Sequence, residues 1–255
     1  MTNPADFEGR IALVTGASSG IGAACAELLA ERGAAKLILV DVDEAGMAAL
    51  DLGKSEAVRI TGSVADEALW DDLGPQLEGL NHAVVNAGIG TGGALADITM
   101  AEWRRVMDVN LDGAFLTMRS AIRAMRDGGN GGSVVITASS TGVKPVPGTG
   151  PYGVSKAAVA HMARMAAAEN AVAKIRVNAI APGGVDTAIW ESGPDFVAAV
   201  AKHGREAVIA NMAKTTPLGR FATSRETAQN ILYMLSDAAP NLTGHVLVDD
   251  GGFTL

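Results

Sequence analysis

The sequence predicts an α/β domain in which seven strands form one doubly wound parallel sheet with helices on both faces. Two observations lead to this prediction. Of the 255 residues, 48% are hydrophobic and 19% are charged, enough apolar material for a sizeable core. Short aliphatic and β-branched runs alternate with longer helical patterns along nearly the whole chain. Such alternation gives parallel strands joined by right-handed crossovers. We expect a single domain over residues 1–255.

Each predicted strand is an apolar run that is too short for a helix and is bounded by turn residues. The strands are 11–15, 36–40, 57–61, 82–86, 133–137, 175–180 and 245–248. Helical patterns lie near 20–32, 43–50, 66–78, 100–126, 152–170 and 224–236. Two of these helices begin with a capping-box pattern, in which a hydroxyl and a carboxylate each satisfy a free backbone N–H. The pairs are Thr99 with Glu102 and Thr223 with Glu226.

One long segment, residues 188–218, interrupts the alternation between the sixth strand and the last helix. A segment of this length in a compact domain is usually functional or mobile. We interpret it as a partly helical lid over a substrate pocket. A surface excursion without a role is the alternative.

Composition and charge exclude several classes of protein. The 28 acidic side chains outnumber the 20 basic ones, and no basic cluster is present, which argues against a nucleic-acid partner. No apolar run approaches the roughly 20 residues of a membrane span. Residues 1–10 are polar and lack the pattern of a signal peptide, so we expect a cytoplasmic protein. Cys25 is the single cysteine, and the sequence shows no metal-ligand spacing, so no metal is expected.

A glycine-rich turn follows the first predicted strand and precedes the first helix. Its glycines let the backbone turn sharply and approach a pyrophosphate, while the helix directs free N–H groups and its positive dipole end at the phosphates. A plain tight turn is the alternative, but the strand before it and the helix after it favour a dinucleotide site. The residues of this site are Gly16, Ser18, Ser19, Gly20, Ile21 and Gly22.

Asp41 ends the second strand, nineteen positions after Gly22. A carboxylate at this place accepts hydrogen bonds from both ribose hydroxyls of an adenosine and repels a 2′-phosphate. The position therefore predicts NAD rather than NADP as the cofactor.

Tyr152 and Lys156 stand four positions apart near the start of a predicted helix. This spacing places both side chains on one helical face, where the ammonium can stabilise a phenolate. A phenol with a fixed neighbouring cation becomes a usable acid or base near neutral pH. An amphipathic surface pair is the alternative. Tyr152 is one of only two tyrosines and follows a Gly/Pro-rich loop, which favours a functional role.

These motifs together resemble those of the short-chain dehydrogenase/reductase family, in its compact branch of about 250 residues. The resemblance covers essentially the whole chain. It includes the segment 86–88 after the fourth strand, Asn110, Ser139 thirteen positions before Tyr152, and the turn at 182–187. It implies a Rossmann fold and an NAD-dependent oxidoreductase that acts on CH–OH groups.

The resemblance also implies roles for individual residues. Tyr152 transfers the hydroxyl proton, and Lys156 lowers the tyrosine pKa and holds the nicotinamide ribose. Ser139 polarises the substrate oxygen, Asn110 supports a water chain, and Ser140 is a pocket-lining neighbour. Besides Tyr152, Lys156 and the residues of the glycine-rich turn, the implied cofactor contacts are Asp41, Ser63, Val64, Asn86, Ala87, Gly88, Pro182, Gly183, Val185 and Thr187.

The chain departs from the family pattern in two places. Ser63 stands where relatives usually carry an acidic residue for the adenine amine, and the segment 66–86 is a few residues shorter than expected. The basic residues of NADP-preferring relatives are also absent, since Ser19 and Val42 occupy those positions.

The predicted activity is hydride transfer between NAD(H) and a secondary alcohol or ketone. Trp190 is the predicted substrate-binding residue besides Ser139 and Tyr152, and apolar residues at the pocket rim suggest an apolar or cyclic substrate. The other rim residues are Val146, Pro147 and Phe196. One alternative is a 3-oxoacyl thioester reductase, and another is a dinucleotide-binding module without catalysis. The resemblance further implies a homotetramer.

Overall fold

The computed structural model describes residues 6–255 and contains one sheet of seven parallel strands, in the order β3-β2-β1-β4-β5-β6-β7. Each predicted strand is present with ends that differ by at most two residues, which confirms the doubly wound α/β fold. The strands are β1 (Ile11–Thr15), β2 (Lys36–Asp41), β3 (Glu56–Thr61), β4 (His82–Val85), β5 (Gly132–Thr137), β6 (Ile175–Pro182) and β7 (Val246–Asp249).

Helices cover both faces of the sheet, because alternate strand residues point to opposite sides and both sides are apolar. The helices are α1 (Gly20–Glu31), α2 (Glu44–Ala48), α3 (Glu67–Leu73), α4 (Met100–Met107), α5 (Gly113–Gly128), α6 (Gly150–Asn170), α7 (Pro194–His203), α8 (Arg205–Ala213) and α9 (Ser224–Leu235). Leu13 of β1 packs with α3, α5 and α6, whereas Ala12 and Val14 pack with α1, α2 and α9. Within residues 6–255, no helix combines the length and the apolar character needed to cross a bilayer.

The predicted helix over 100–126 is divided in the structure. A π-helical turn over Asp108–Asp112 separates α4 from α5. The side chain of Asn110, inside this turn, is hydrogen-bonded to the main chain of Ile89. Insertions of this kind are frequent at functional sites, since they turn a side chain away from the regular helical direction.

Of the two predicted capping boxes, the Thr223 box at α9 is complete. At α4 the Thr99 hydroxyl accepts from the Glu102 N–H at 3.2 Å, but the Glu102 carboxylate accepts from the Thr91 hydroxyl instead of returning to Thr99. The reciprocal half of that prediction is therefore wrong, because a neighbouring loop supplies a competing donor.

The amino end of β4 holds a buried histidine. His82 is 7% exposed, and its Nδ1 lies 2.8 Å from Ser133 Oγ. Ser133 donates its own proton to the Leu235 carbonyl at 2.7 Å, so its hydroxyl accepts from a neutral, Nδ1-protonated ring. Burial, with smaller contributions from Arg10 and Arg176, lowers the pKa of His82 from its ordinary 6.5 to about 3.

Acid should consequently destabilise the fold through His82. Between about pH 6.5 and 3 the unfolded chain binds a proton at this ring and the folded chain does not. We expect the free energy of unfolding to fall by about 1.4 kcal/mol per pH unit in this range from His82 alone. Denaturant unfolding across a pH series should show a shallower fall for His82→Asn than for the wild type. Equal slopes in the two proteins would contradict the assignment.

Cys25, on the buried side of α1, is fully enclosed by core residues, and this burial raises the pKa of its thiol. A thiol with a raised pKa and no exposure is chemically inert.

Candidate active site

The loops after β1, β2, β4, β5 and β6 meet at the carboxyl edge of the sheet. The order of the strands reverses between β1 and β4, and open α/β sheets bind ligands in the crevice at such a switch point. Every predicted site residue on these loops is therefore brought to the same edge.

Close backbone contact shapes the glycine-rich turn. Gly16 has a φ of +64°, and a Cβ there would lie 2.9 Å from the Ala87 Cα. A Cβ on Gly22 would lie 1.9 Å from the Gly16 carbonyl oxygen. The first turn of α1 thus packs against the turn that follows β1, at a distance only glycine allows.

Asn86 ties the ends of three strands together. Its Nδ2 donates to the Thr15 carbonyl at 3.2 Å, and its Oδ1 accepts from the Thr137 hydroxyl at 3.1 Å. The Thr15 hydroxyl accepts in turn from the N–H groups of Asn86 and Ala87 at 3.0 and 3.2 Å. This network fixes the predicted cofactor segment 86–88 beside the glycine-rich turn.

The start of α1 has the chemistry of a phosphate site. Ser19, its N-cap, forms no side-chain cap hydrogen bond, and the first turn contains no acidic residue. Uncapped N–H groups at the positive end of a helix bind anions. Thr187, from the loop after β6, closes this end, since a Cβ on Gly20 would lie 3.1 Å from its Cγ2. The residues present therefore fit the pyrophosphate of a dinucleotide.

Asp41 is oriented beside this turn. Its Oδ2 accepts from the Ser18 N–H at 2.9 Å and its Oδ1 from the Asp43 N–H at 3.1 Å. Each carboxylate oxygen has further lone-pair capacity for a ribose hydroxyl. Val42 is 70% exposed and brings no positive charge.

The predicted adenine side is built by Ser63 and Val64. The Ser63 hydroxyl is exposed and accepts from the Ala65 N–H at 3.2 Å. The Val64 carbonyl accepts from the Trp70 indole at 2.8 Å, and a Cβ on Gly113 would lie 2.5 Å from a Val64 methyl group. Val64 is thus held by α3 and α5, whereas Ser63 remains accessible.

Ser139, Tyr152 and Lys156 come together where β5 meets α6. The Ser139 hydroxyl lies close enough to the Tyr152 side chain to influence its pKa. The Lys156 Nζ lies 5.7 Å from the centre of the Tyr152 ring and donates to the Thr137 carbonyl at 2.7 Å. Lys156 is 4% exposed, so the alternative of an amphipathic surface pair is excluded. Ser140 is buried next to this group.

Burial dominates the electrostatics of this group. It raises the pKa of Tyr152, while the neighbouring Ser139 hydroxyl acts in the opposite direction. It lowers the pKa of Lys156 to about 8. The sequence predicted a lowered tyrosine pKa, and in the protein alone that direction is wrong, because removing a phenolate from water costs more than its neighbours return.

Asn110 connects this group to the loop after β4. Its Oδ1 accepts from the Ile89 N–H at 2.8 Å, and its Nδ2 donates to the Ile89 carbonyl at 3.0 Å and to Ser155 Oγ at 3.2 Å. Ser155 donates to the Tyr152 carbonyl at 2.7 Å. The buried Asn110 side chain therefore braces the loop after β4 against α6. The water chain expected at Asn110 stays a prediction.

The segment 188–218 contains a 3₁₀ turn over Ala188–Ser192, then α7 and α8. Trp190 stacks on Phe221, with ring centres 5.6 Å apart, and its indole donates to the Val185 carbonyl at 2.8 Å. Val185 also forms a parallel bridge with Ala222. Trp190 thus connects the residues that flank the two ends of this segment, and its role in substrate binding stays a prediction.

Three contributions at this edge were missed from the sequence. Arg205 of α8 pairs with Asp186 and donates to the Thr187 carbonyl at 3.3 Å. The Phe221 ring fills the space left by the missing side chain of Gly184. Thr141 donates twice to Ser139. Of these three contributions, only the one at Gly184 could have been found from the sequence, because Gly184 lies in the turn at 182–187 that resembles the family's. Among residues 6–255, no group of three or more His, Cys, Asp or Glu side chains is placed to hold a metal ion.

A parallel sheet with a phosphate-binding turn at its switch point, next to a phenol paired with a buried lysine, defines a dinucleotide-dependent oxidoreductase. A family model described as enoyl-(acyl carrier protein) reductase matches residues 16–254. The chain belongs to the short-chain dehydrogenase/reductase family and acts on CH–OH groups.

Two relatives and one solved structure illustrate the similarity. Cis-4-hydroxycyclohexanecarboxylate dehydrogenase of Sinomonas cyclohexanicum is 39% identical over 97% of this chain and 98% of its own. The 2,5-dichloro-2,5-cyclohexadiene-1,4-diol dehydrogenase of Sphingobium indicum is 38% identical over 98% of each chain. The structure of 3-ketoacyl-(acyl-carrier-protein) reductase from Brucella melitensis complexed with NADH has a TM-score of 0.85 and 28% identity, covering 98% of this chain and 100% of that one.

Proposed function

We propose that this protein is an NAD(H)-dependent dehydrogenase of secondary alcohols on an apolar ring, and that it reduces the corresponding ketones in the reverse direction. The observation that carries the proposal is the cluster of Ser139, Tyr152 and Lys156 beside the turn that Asp41 borders. The names of the two relatives support the substrate class, since each places a hydroxyl group on a six-membered carbon ring.

In this proposal the substrate hydroxyl lies between Ser139 and Tyr152. Tyr152 takes the hydroxyl proton, and Ser139 donates a hydrogen bond to the oxygen as it becomes a carbonyl. Lys156, protonated below its pKa of about 8, stabilises the phenolate. Asn110 keeps the loop after β4 in place and supports the water chain that removes the proton. A nicotinamide dinucleotide held by the turn, Asp41 and the loops after β3, β4 and β6 supplies or accepts the hydride.

NAD is the proposed cofactor because a fixed carboxylate at Asp41 favours ribose hydroxyls over a 2′-phosphate. Asp41→Asn removes the charge with little change of shape. We expect the preference of this variant for NAD over NADP, measured as a ratio of kcat/KM values, to fall by at least about tenfold. This factor corresponds to the loss of one hydrogen bond to a charged group. Asp43→Asn is the matched control, since Asp43 is an exposed carboxylate two residues away. An unchanged ratio in Asp41→Asn would contradict the role of Asp41.

A spectrophotometric panel tests the activity. Cis-4-hydroxycyclohexanecarboxylate, cyclohexanol and cyclohexanone are assayed with NAD(H) and NADP(H), next to an acetoacetyl thioester. Turnover of the ring substrates with NAD(H) supports the proposal. Preferred turnover of the thioester would favour the alternative reductase, the activity named for the Brucella melitensis structure. Dinucleotide binding without turnover of any compound would favour the binding module.

We further propose that residues 188–218 cover the substrate as a lid on a single domain over 1–255, because Trp190 and Arg205 attach this segment to the loop after β6.

Cytoplasmic location stays a prediction of the sequence. A homotetramer is supported by apolar side chains that this chain leaves exposed on α5, on α6 and at its end, namely Phe115, Met165 and Leu255. Sedimentation that shows only a monomer would remove the tetramer.

A further inference from the structure

Two hydrogen bonds from Thr141 converge on the Ser139 hydroxyl. The Thr141 N–H donates to Ser139 Oγ at 3.2 Å, and Thr141 Oγ1 donates to the same atom at 3.0 Å. A serine hydroxyl has two lone pairs and one proton. Since Thr141 engages both lone pairs, the proton of Ser139 is left to bond elsewhere.

The Tyr152 side chain lies beside Ser139, near enough for the Ser139 hydroxyl to act on the Tyr152 pKa. We propose that Thr141 is a positioning residue, whose hydroxyl fixes Ser139 as a hydrogen-bond donor toward the Tyr152 oxygen and the substrate oxygen beside it. The inference rests on the proposed function, in which Tyr152 transfers the proton. Its chemical consequence is a one-way chain of donors, Thr141 to Ser139 to Tyr152, that favours the ionised phenol.

Two glycines hold Thr141 in position. Thr141 lies in a 3₁₀ turn over Ser140–Gly142, separated from the end of β5 by two residues. A Cβ on Gly142 would lie 2.7 Å from the Ala157 nitrogen, and a Cβ on Gly153 would lie 3.3 Å from the Thr141 carbonyl oxygen. The turn is therefore seated on the same part of α6 that carries Tyr152 and Lys156, and Thr141 has a fixed position relative to both.

If the hydrogen bond between the Ser139 and Thr141 hydroxyls ran in the opposite direction, the Tyr152 pKa would change in the opposite sense. If Ser139 donated to Thr141 Oγ1, its oxygen would accept the Tyr152 proton and favour the neutral phenol. Removing the Thr141 hydroxyl would then release the Ser139 proton toward Tyr152 and lower the tyrosine pKa. In the orientation proposed here, the same change weakens the donor and raises that pKa. The direction of the shift decides between them.

The chain offers a direct measurement, because Tyr152 and Tyr233 are its only tyrosines. Tyr233 is 45% exposed on α9. In a Tyr233→Phe background, tyrosinate absorbance during a pH titration reports Tyr152 alone. Lys156 is the titratable group that faces the phenol, and it is the same in the Thr141 variants and in the background protein.

We expect Thr141→Val, which keeps the shape and removes the hydroxyl, to raise the Tyr152 pKa by about half to one pH unit. Thr141→Ser restores the hydroxyl and should return the pKa to that of the background protein. With cyclohexanol and NAD, kcat for Thr141→Val should fall by about two- to tenfold, with a parallel shift of the pH profile and rescue in Thr141→Ser. An unchanged or lowered pKa in Thr141→Val overturns the inference.

A failure of the proposed function can be distinguished from a failure of the inference about Thr141. If Ser139→Ala and Tyr152→Phe keep near-normal turnover, the catalytic assignment is wrong, whatever Thr141 does. If both lose turnover while Thr141→Val keeps the background pKa and pH profile, only the positioning role of Thr141 is wrong.

Discussion

Replacing Tyr152 with phenylalanine should lower kcat for alcohol oxidation by about 10²- to 10⁴-fold, the contribution of a positioned proton-transfer group. The substitution removes one oxygen atom from a partly buried ring and leaves the ring itself unchanged, so the packing of α6 is preserved. Because the glycine-rich turn and Asp41 are untouched, most of the NADH affinity should remain. Steady-state kinetics with the ring alcohols give the loss of kcat, and NADH fluorescence titration gives the affinity.

Tyr233→Phe is the matched control for this experiment. It makes the same chemical change on α9, at a side chain that is 45% exposed, and should leave kcat unchanged. Near-normal turnover in Tyr152→Phe would remove Tyr152 from the reaction and with it the proposed mechanism.

Replacing Gly22 with alanine should abolish dinucleotide binding at concentrations that saturate the wild type. The added Cβ would lie 1.9 Å from the Gly16 carbonyl oxygen and 2.8 Å from Asn86 Nδ2, so both the turn and the side chain that braces it must move. Overpacking of this kind costs about 1–3 kcal/mol of stability. NADH fluorescence titration and denaturant unfolding measure the two effects.

Gly74→Ala controls for the loss of a glycine. Gly74 has an ordinary helical backbone, and a Cβ there would meet no atom within 4 Å. It should bind NADH like the wild type. Wild-type affinity in Gly22→Ala would mean that the contact between α1 and the Gly16 turn is dispensable.

Five strands were predictable because each is buried on both faces and therefore appears as a short continuous apolar run. The two edge strands, β3 and β7, are only partly buried and were recognised by their aliphatic and β-branched residues. The division between α4 and α5 was not. Residues 108–112 continue a helical pattern, and the π-helical turn is recognisable only once Asn110 is seen bonded to Ile89. A pattern along the chain shows which face is apolar and carries no information about a side chain that bonds a distant loop.

In the candidate site, too, local features were predictable from the sequence and contacts between distant segments were not. Turn glycines and the Tyr152–Lys156 spacing are local features, so they were recognisable in the sequence. The burial that governs both pKa values, and the contacts of Thr141, Arg205 and Phe221, arise where separate loops meet. For the same reason only one half of the Thr99 capping box was predicted correctly. The fold brings the Thr91 hydroxyl to the Glu102 carboxylate, which therefore does not bond back to Thr99.

The buried thiol of Cys25 makes the protein convenient for site-specific labelling. It is the only cysteine in the sequence and lies in the core. A cysteine introduced at exposed Lys202 on α7 would therefore be the single thiol within reach of a maleimide dye, with no native residue to remove first. A fluorophore at that position would report movement of the segment 188–218 in an otherwise unaltered enzyme, as dinucleotide and alcohol are added in turn.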